Sequence, residues 1–165
     1  MTDFFENTFM IEGSMGASSE VTDPLVLHLS PEPFSLDVVA EAIEVLAREG
    51  HWCDKDRYHV DLVLEELLQN IISYGFPDGR SGGIDLTIHQ TQSEILIRLE
   101  DDGVAFDPFS VSDPDLEAPL DERAIGGLGV YFARTFMDAS RYIRVNGRNC
   151  VELHKRLASA TPDGS

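Results

Sequence analysis

The stretch "EELLQN", residues 65 to 70, sets a carboxylate, Glu66, four residues ahead of an amide, Asn70. On a helix that spacing brings both side chains out on one face as neighbours. Taken alone, such a pair belongs to a solvated face, where charged and amide residues ordinarily sit. A second group stands in "LEDDGVAFDP", residues 99 to 108. Asp101 closes an apolar alternation and so falls at a buried or half-buried strand end. A carboxylate there needs a hydrogen-bond donor, because burying it unpaired is costly. An exocyclic amine on a ligand is one such donor. Gly103 would let the backbone approach closely, and Phe106 would anchor the loop back onto the core. The third group is "GGLG": Gly126, Gly127, Leu128 and Gly129. Glycines that open a helix expose amide N–H groups with no intrahelical partner, a seat for phosphate oxygens.

Each group has an ordinary reading. "DDG" is most often a turn, and the later ligands of a calcium loop are missing. The glycine run lacks the Lys-Ser/Thr ending of a Walker A loop, and no strand leads directly into it as a Rossmann fingerprint requires. The five histidines form no ligand spacing, so no metal is assigned to them. Trp52 and Phe76 read as packing residues.

The elements that must position these groups are legible from periodicity. Residues 1 to 22 show no sustained period and read as a flexible tail; 159–165 form a second tail. Leu25 to Leu29 is a short strand. Ser35 is a plausible N-cap for a helix carrying Leu36, Val39, Ala40, Ile43, Leu46 and Ala47, which Gly50 stops. Val60, Val63, Leu64, Leu67, Leu68 and Ile71 mark a second helix, ended by "YGFPDG". Ile84, Leu86 and Ile88 alternate, then Ile95, Ile97 and Leu99, giving two strands around "QTQS". From Asp107 to Ile125 three prolines prevent any period. Val130, Ala133, Phe136 and Met137 form the buried stripe of a third helix after "GGLG". Asn146-Gly147 joins "RYIRV" to "RNCVELHK" as a tight type I′ hairpin. Helices and strands in blocks favour an α+β layered fold.

Composition bounds the partners. The 165-residue chain suits one domain, here 23–158. Twelve basic residues against thirty acidic ones give a net charge of −18. That argues against nucleic-acid backbone, which needs clustered cations, and against an anionic membrane surface. Cys53 and Cys150 read as reduced thiols of a cytoplasmic protein. The first residues lack the basic and apolar regions of a secretory signal, and no run approaches a membrane span.

In this order and spacing, Glu66-x-x-x-Asn70, Asp101-x-Gly103-x-x-Phe106 and Gly126-Gly127-Leu128-Gly129 resemble the ATP-binding boxes of the GHKL (Bergerat-fold) ATPases. The closest branch is the bacterial anti-sigma-factor serine/threonine kinases, and the similarity runs from about Leu25 to Leu157. It implies a two-layer α/β sandwich, a mixed, mostly antiparallel sheet with helices on one face. It further implies ATP and Mg²⁺ as cofactors. Asn70 would coordinate Mg²⁺ and Glu66 would be the general base. Asp101 would bind the adenine amine, Gly103 would make room for the purine, and Gly127 and Gly129 would offer amides to the phosphates. Residues 107–125 would be the ATP lid. The implied function is transfer of the ATP γ-phosphate to a Ser/Thr of a STAS-type anti-sigma antagonist, together with sequestration of a sigma factor.

This chain departs from the family in places. Tyr74 stands where the family often has a His four residues beyond the box Asn, and Ser73 and Tyr74 are further pocket candidates. Ile71 replaces a small residue after Asn70. Arg123 is the lid's one cation, with Arg80 and Arg134 as other candidates for phosphate charge. Two alternatives remain open: a non-catalytic binding module that uses ATP as a structural ligand, and a stand-alone histidine-kinase-like catalytic domain. Homodimer formation through an exposed sheet face is also left open.

Overall fold

The computed structural model describes residues 23–110 and 128–158. Both expected tails, most of the expected lid, and Arg123, Gly126 and Gly127 lie outside the described residues. The elements run β1 (Leu25–Leu29), α1 (Phe34–Glu49), α2 (Asp54–Tyr74), β2 (Ile84–Gln90) and β3 (Glu94–Asp101). A short 3-10 turn (Pro108–Ser110), α3 (Leu128–Phe136), β4 (Ala139–Val145) and β5 (Arg148–Arg156) follow. The five strands form one sheet in the order β1-β2-β3-β5-β4. Every pairing is antiparallel, so the expected mixed character is absent from the described residues. For β2–β3 and β4–β5, consecutive strands joined by short turns, no other pairing is possible.

The alternation read from the sequence fixes which face is buried. Ile84, Leu86 and Ile88, Ile95, Ile97 and Leu99, and Val151 and Leu153 join one core with Val39, Ile43, Val60, Val63, Leu64, Leu67 and Leu68 from the helices. The α+β, two-layer expectation therefore holds, with the helices on one face. On the other face, Glu152 is 1% exposed and paired with both Arg98, at 3.2 Å, and Arg141. A buried carboxylate with two guanidinium partners is satisfied; alone it would be costly.

Two local expectations change. The first helix begins at Phe34 after Pro33, which makes no side-chain cap bond. Ser35 is therefore not an N-cap: it lies inside the first turn, buried, with Oγ donating to the Ser30 carbonyl at 2.7 Å. Pro33 at the helix entrance gives a ready φ and lacks an N–H, which would have no partner there in any case. The expected lid is also anchored where it starts. Pro108 is buried in the short turn, Phe109 packs on the core, and Arg134 donates to the Phe109 carbonyl at 2.5 Å. The β4–β5 hairpin has the expected geometry: Asn146 and Gly147 take φ of 51° and 79°, with Val145 facing Arg148.

Candidate functional site

The C-terminal end of the central strand β3, the last turns of α2 and the loop after Asp101 enclose a cavity of about 200 Å³. Its walls are apolar: Leu67 and Ile71 from α2, Leu99 and Val151 from the sheet, and Val104, Ala105, Phe106 and Pro108 from the loop. Polar groups enter at Asn70, Tyr74, Asp101 and Asn149. Apolar walls with a few convergent polar groups are the usual form of a small-molecule site.

The alternation that buries Ile95, Ile97 and Leu99 also turns Asp101 inward, leaving it 4% exposed. Its Oδ1 accepts from the Gly103 N–H at 2.8 Å and from Asn149 Nδ2 at 2.9 Å. Burial nonetheless lifts its carboxyl above the usual range. Those two bonds and the Arg144 charge pull it back, while Asp102 pushes it up. Asp102, one residue on, faces outward: it accepts from the Gly83 N–H at 2.8 Å and pairs with Arg80 at 3.1 Å. These contacts hold its carboxyl below the usual range, the Gly83 bond most of all. The two adjacent acids thus do different work on opposite sides of the strand.

Gly103 differs from expectation. A Cβ there would lie 2.7 Å from both Asp101 Oδ1 and the Gly75 carbonyl oxygen. The space it leaves is filled by the carboxylate and by the backbone just after α2, so the glycine seats Asp101. Phe106 differs too. It is 47% exposed, so it lines the cavity rim, and Phe109 is the residue that packs on the core. The loop is tied instead by the Phe106 N–H, which donates to Asn149 Oδ1 at 3.3 Å.

Glu66 and Asn70 are half-buried, so the solvated reading of that helix face fails. The first turn of α3 covers them. Gly129 is buried, and a Cβ built on it would come 2.8 Å from Glu66 Cβ and 3.6 Å from Asn70 Nδ2. Leu128 beside it is 39% exposed. Asn70 Nδ2 is buried with no hydrogen-bond partner among the described residues. An orphaned buried donor costs about 1–3 kcal/mol, which an anionic ligand would offset. Burial, with Glu65 beside it, lifts the Glu66 carboxyl above its usual range, toward readiness to take a proton.

Of the secondary candidates, Tyr74 lines the cavity, whereas Ser73 accepts from Gln69 at 2.8 Å in an exposed position. Arg80 serves the loop: it pairs with Asp102 and lies over the Phe76 ring at 5.0 Å. Arg134 serves the turn at Phe109. Among the described residues no cluster of His, Cys, Asp and Glu has metal-holding geometry. Asn149 escaped the sequence reading. Its signal was present as a polar residue sharing the alternation of Val151 and Leu153, opposite Asp101 in the ladder.

The fit to nucleotide is thus chemical as well as topological. An inward carboxylate closes one end of an apolar slot, and an unpaired amide under a glycine-bearing helix start closes the other. Fold and site define an ATPase domain of the GHKL class. Residues 29–155 match the histidine kinase-like ATPase domain family. The chain is 35% identical over 116 residues to the serine/threonine-protein kinase BtrW of Bordetella bronchiseptica, covering 70% of this chain and 82% of that protein. A solved structure of the RsbU and RsbW domains from Mycobacterium tuberculosis superposes with a TM-score of 0.60 at 16% identity, over 82% of this chain. This chain spans 33% of that one, and the likeness is one of fold. The chain belongs to the histidine kinase-like ATPase family, on its serine/threonine-protein kinase branch.

Proposed function

We propose that this protein is an ATP-dependent anti-sigma-type kinase. It transfers the γ-phosphoryl group to a serine or threonine of a STAS-type antagonist and, once that antagonist leaves, captures a sigma factor. The supporting observation is that Asp101 and Asn70 line one cavity while Gly129 packs on Glu66 beside Asn70. Asp101 recognises the adenine amine, since a buried carboxylate accepts where a guanine would present a carbonyl oxygen. Asn70 offers its amide oxygen, a hard donor of the kind Mg²⁺ takes, and its Nδ2 meets a phosphate oxygen. The metal, when bound, neutralises charge between the phosphates. Glu66, one helical turn before Asn70, accepts the proton of the attacking hydroxyl; its partial burial raises its basicity for that task. Gly129 lets α3 press its first turn against this pair, so that helix N–H groups face the phosphates.

No helix among the described residues is long and apolar enough to cross a membrane. With the net charge of −18, this supports a cytoplasmic protein that acts on other proteins and contacts neither DNA nor lipid. The deciding experiment incubates the protein with γ-labelled ATP, Mg²⁺ and candidate STAS-type antagonists. Acid-stable label on a Ser or Thr is expected, and Glu66→Gln should abolish it while nucleotide still binds. Label transfer by Glu66→Gln at the wild-type rate would overturn the role of Glu66. Partner capture that needs ATP yet yields no ADP would replace catalysis with a structural nucleotide.

A further inference from the structure

Asn149 is 5% exposed, and its amide is fully engaged. Nδ2 donates to Asp101 Oδ1 at 2.9 Å and to the Val104 carbonyl at 2.8 Å. Oδ1 accepts from the Tyr142 hydroxyl at 2.8 Å, from Arg144 Nη1 at 2.7 Å and from the Phe106 N–H at 3.3 Å. This settles the orientation of the amide. Turned over, it would set its oxygen against a carboxylate and a carbonyl, and its NH₂ against three donors. Arg144 forms no ion pair with a described carboxylate. Among the described residues its side-chain bond is to Asn149, and its charge acts on Asp101.

We propose that Asn149 and Arg144 are positioning residues for base recognition: Asn149 aims the Asp101 carboxylate and the loop wall, and Arg144 holds that amide and sets a positive charge behind it. This rests on the nucleotide reading above and adds to it the edge strand β4, which no nucleotide box includes. The balance at Asp101 explains the need. Burial and Asp102 favour the neutral acid, and the Asn149 and Gly103 bonds together with Arg144 oppose them. From α2 the cavity receives Leu67, Asn70, Ile71 and Tyr74, none charged at neutral pH. Among the described residues, Arg144 is the cation whose charge acts on Asp101. A protonated Asp101 would present a hydroxyl and lose its discrimination for an amine.

The test is isothermal titration with Mg-ATP and with Mg-GTP between about pH 5 and pH 8, on wild type, Arg144→Gln, Arg144→Lys and Asn149→Leu. Loss of a nearby cation favours the protonated acid, so in Arg144→Gln the acid limb of ATP binding moves to higher pH. The loss shrinks as pH rises, and Arg144→Lys restores the limb. Asn149→Leu removes a neutral restraint, so ATP binding falls about tenfold or more and the ATP-over-GTP preference narrows. Equal weakening of Arg144→Gln at every pH, or a profile superimposed on wild type, overturns the inference. Arg144 is exposed, so its variants should keep the fold, checked by emission of the sole tryptophan, Trp52. If wild type binds neither nucleotide, the nucleotide reading itself falls, and this inference with it. If wild type binds ATP and Arg144→Gln is silent, only the inference falls.

Discussion

Replacing Gly129 by alanine sets helix propensity against packing. Propensity alone favours alanine in a helix by about 1 kcal/mol. The added Cβ, however, would lie 2.8 Å from Glu66 Cβ and 3.4 Å from the Glu66 carbonyl carbon. Carbon atoms settle near 3.5–4.0 Å, so the first turn of α3 must retreat from α2 by on the order of 1 Å. Overpacking of this kind costs about 1–3 kcal/mol. After the propensity gain, urea unfolding followed by Trp52 emission should show a net loss of up to about 2 kcal/mol. Ligand binding separates the two views more sharply. The retreat draws the α3 N–H groups away from the phosphates but leaves Asn70, Asp101 and Asn149 in place. ATP affinity should fall by about tenfold or more, roughly one lost charge-assisted hydrogen bond, while adenosine binds almost as before. A Gly129→Ala protein that is stabilised by the full propensity increment, and binds ATP like wild type, would refute this account of the glycine.

Asp101→Asn should abolish nucleotide binding without unfolding the chain, and Asn70→Ala should weaken chiefly the Mg²⁺-dependent part. Titrations with and without the metal separate them, and equal losses would contradict the division of labour. His59 stacks on Phe136 at 4.0 Å, with Nδ1 buried and unpaired among the described residues. Burial, then Lys155 and Lys55, hold its imidazole below the ordinary range, against the pull of Asp56. A folded-state pKa below the unfolded one means this contribution is complete above about pH 6.5 and lost as pH falls from there through the lower folded-state value. Chemical denaturation at several pH values should show that slope, and His59→Phe, which keeps the stack, should flatten it. Cys150 is 1% exposed, and burial pushes its thiol up to about 12. A maleimide should therefore label Cys53 alone in the native protein and both cysteines in denaturant, counted by mass spectrometry.

Much of this architecture was legible because period and burial coincide. The stripe from Val60 to Leu68 and the alternation through Ile84–Ile88 and Ile95–Leu99 each name a buried face, and Asn146-Gly147 names its own turn. Asp101 could be placed because it continues the β3 alternation to its last residue. What stayed hidden depends on contacts between distant segments. Asn149 meets Asp101 only through the β3–β5 register, and β5 enters the sheet between β3 and β4. Gly103 and Gly129 were marked as special from composition, but their reasons are steric and come from Gly75, just past α2, and from Glu66 on α2. Ser35 satisfied the composition rule for a cap, yet the helix began two residues earlier than such a cap implies, at a Pro-led entrance that left Ser35 to bond Ser30.

The placement of the two halves of the site has a mechanical consequence. Asp101 ends the central strand, bracketed in the ladder by Ile84 on one side and Asn149 on the other. Its position is set by the whole sheet and changes only if the ladder does. The proposed phosphate half rests on the packing of two helices side by side, with Gly129 set close against Glu66. Helix pairs can slide by an ångström at modest cost where a hydrogen-bonded ladder cannot. A partner that pushes on α3 can therefore alter phosphate contacts while the base stays bound. The two ends should then respond separately to mutation: base-end variants should shift ATP and adenosine binding together, and variants at the α2–α3 contact should shift ATP binding alone.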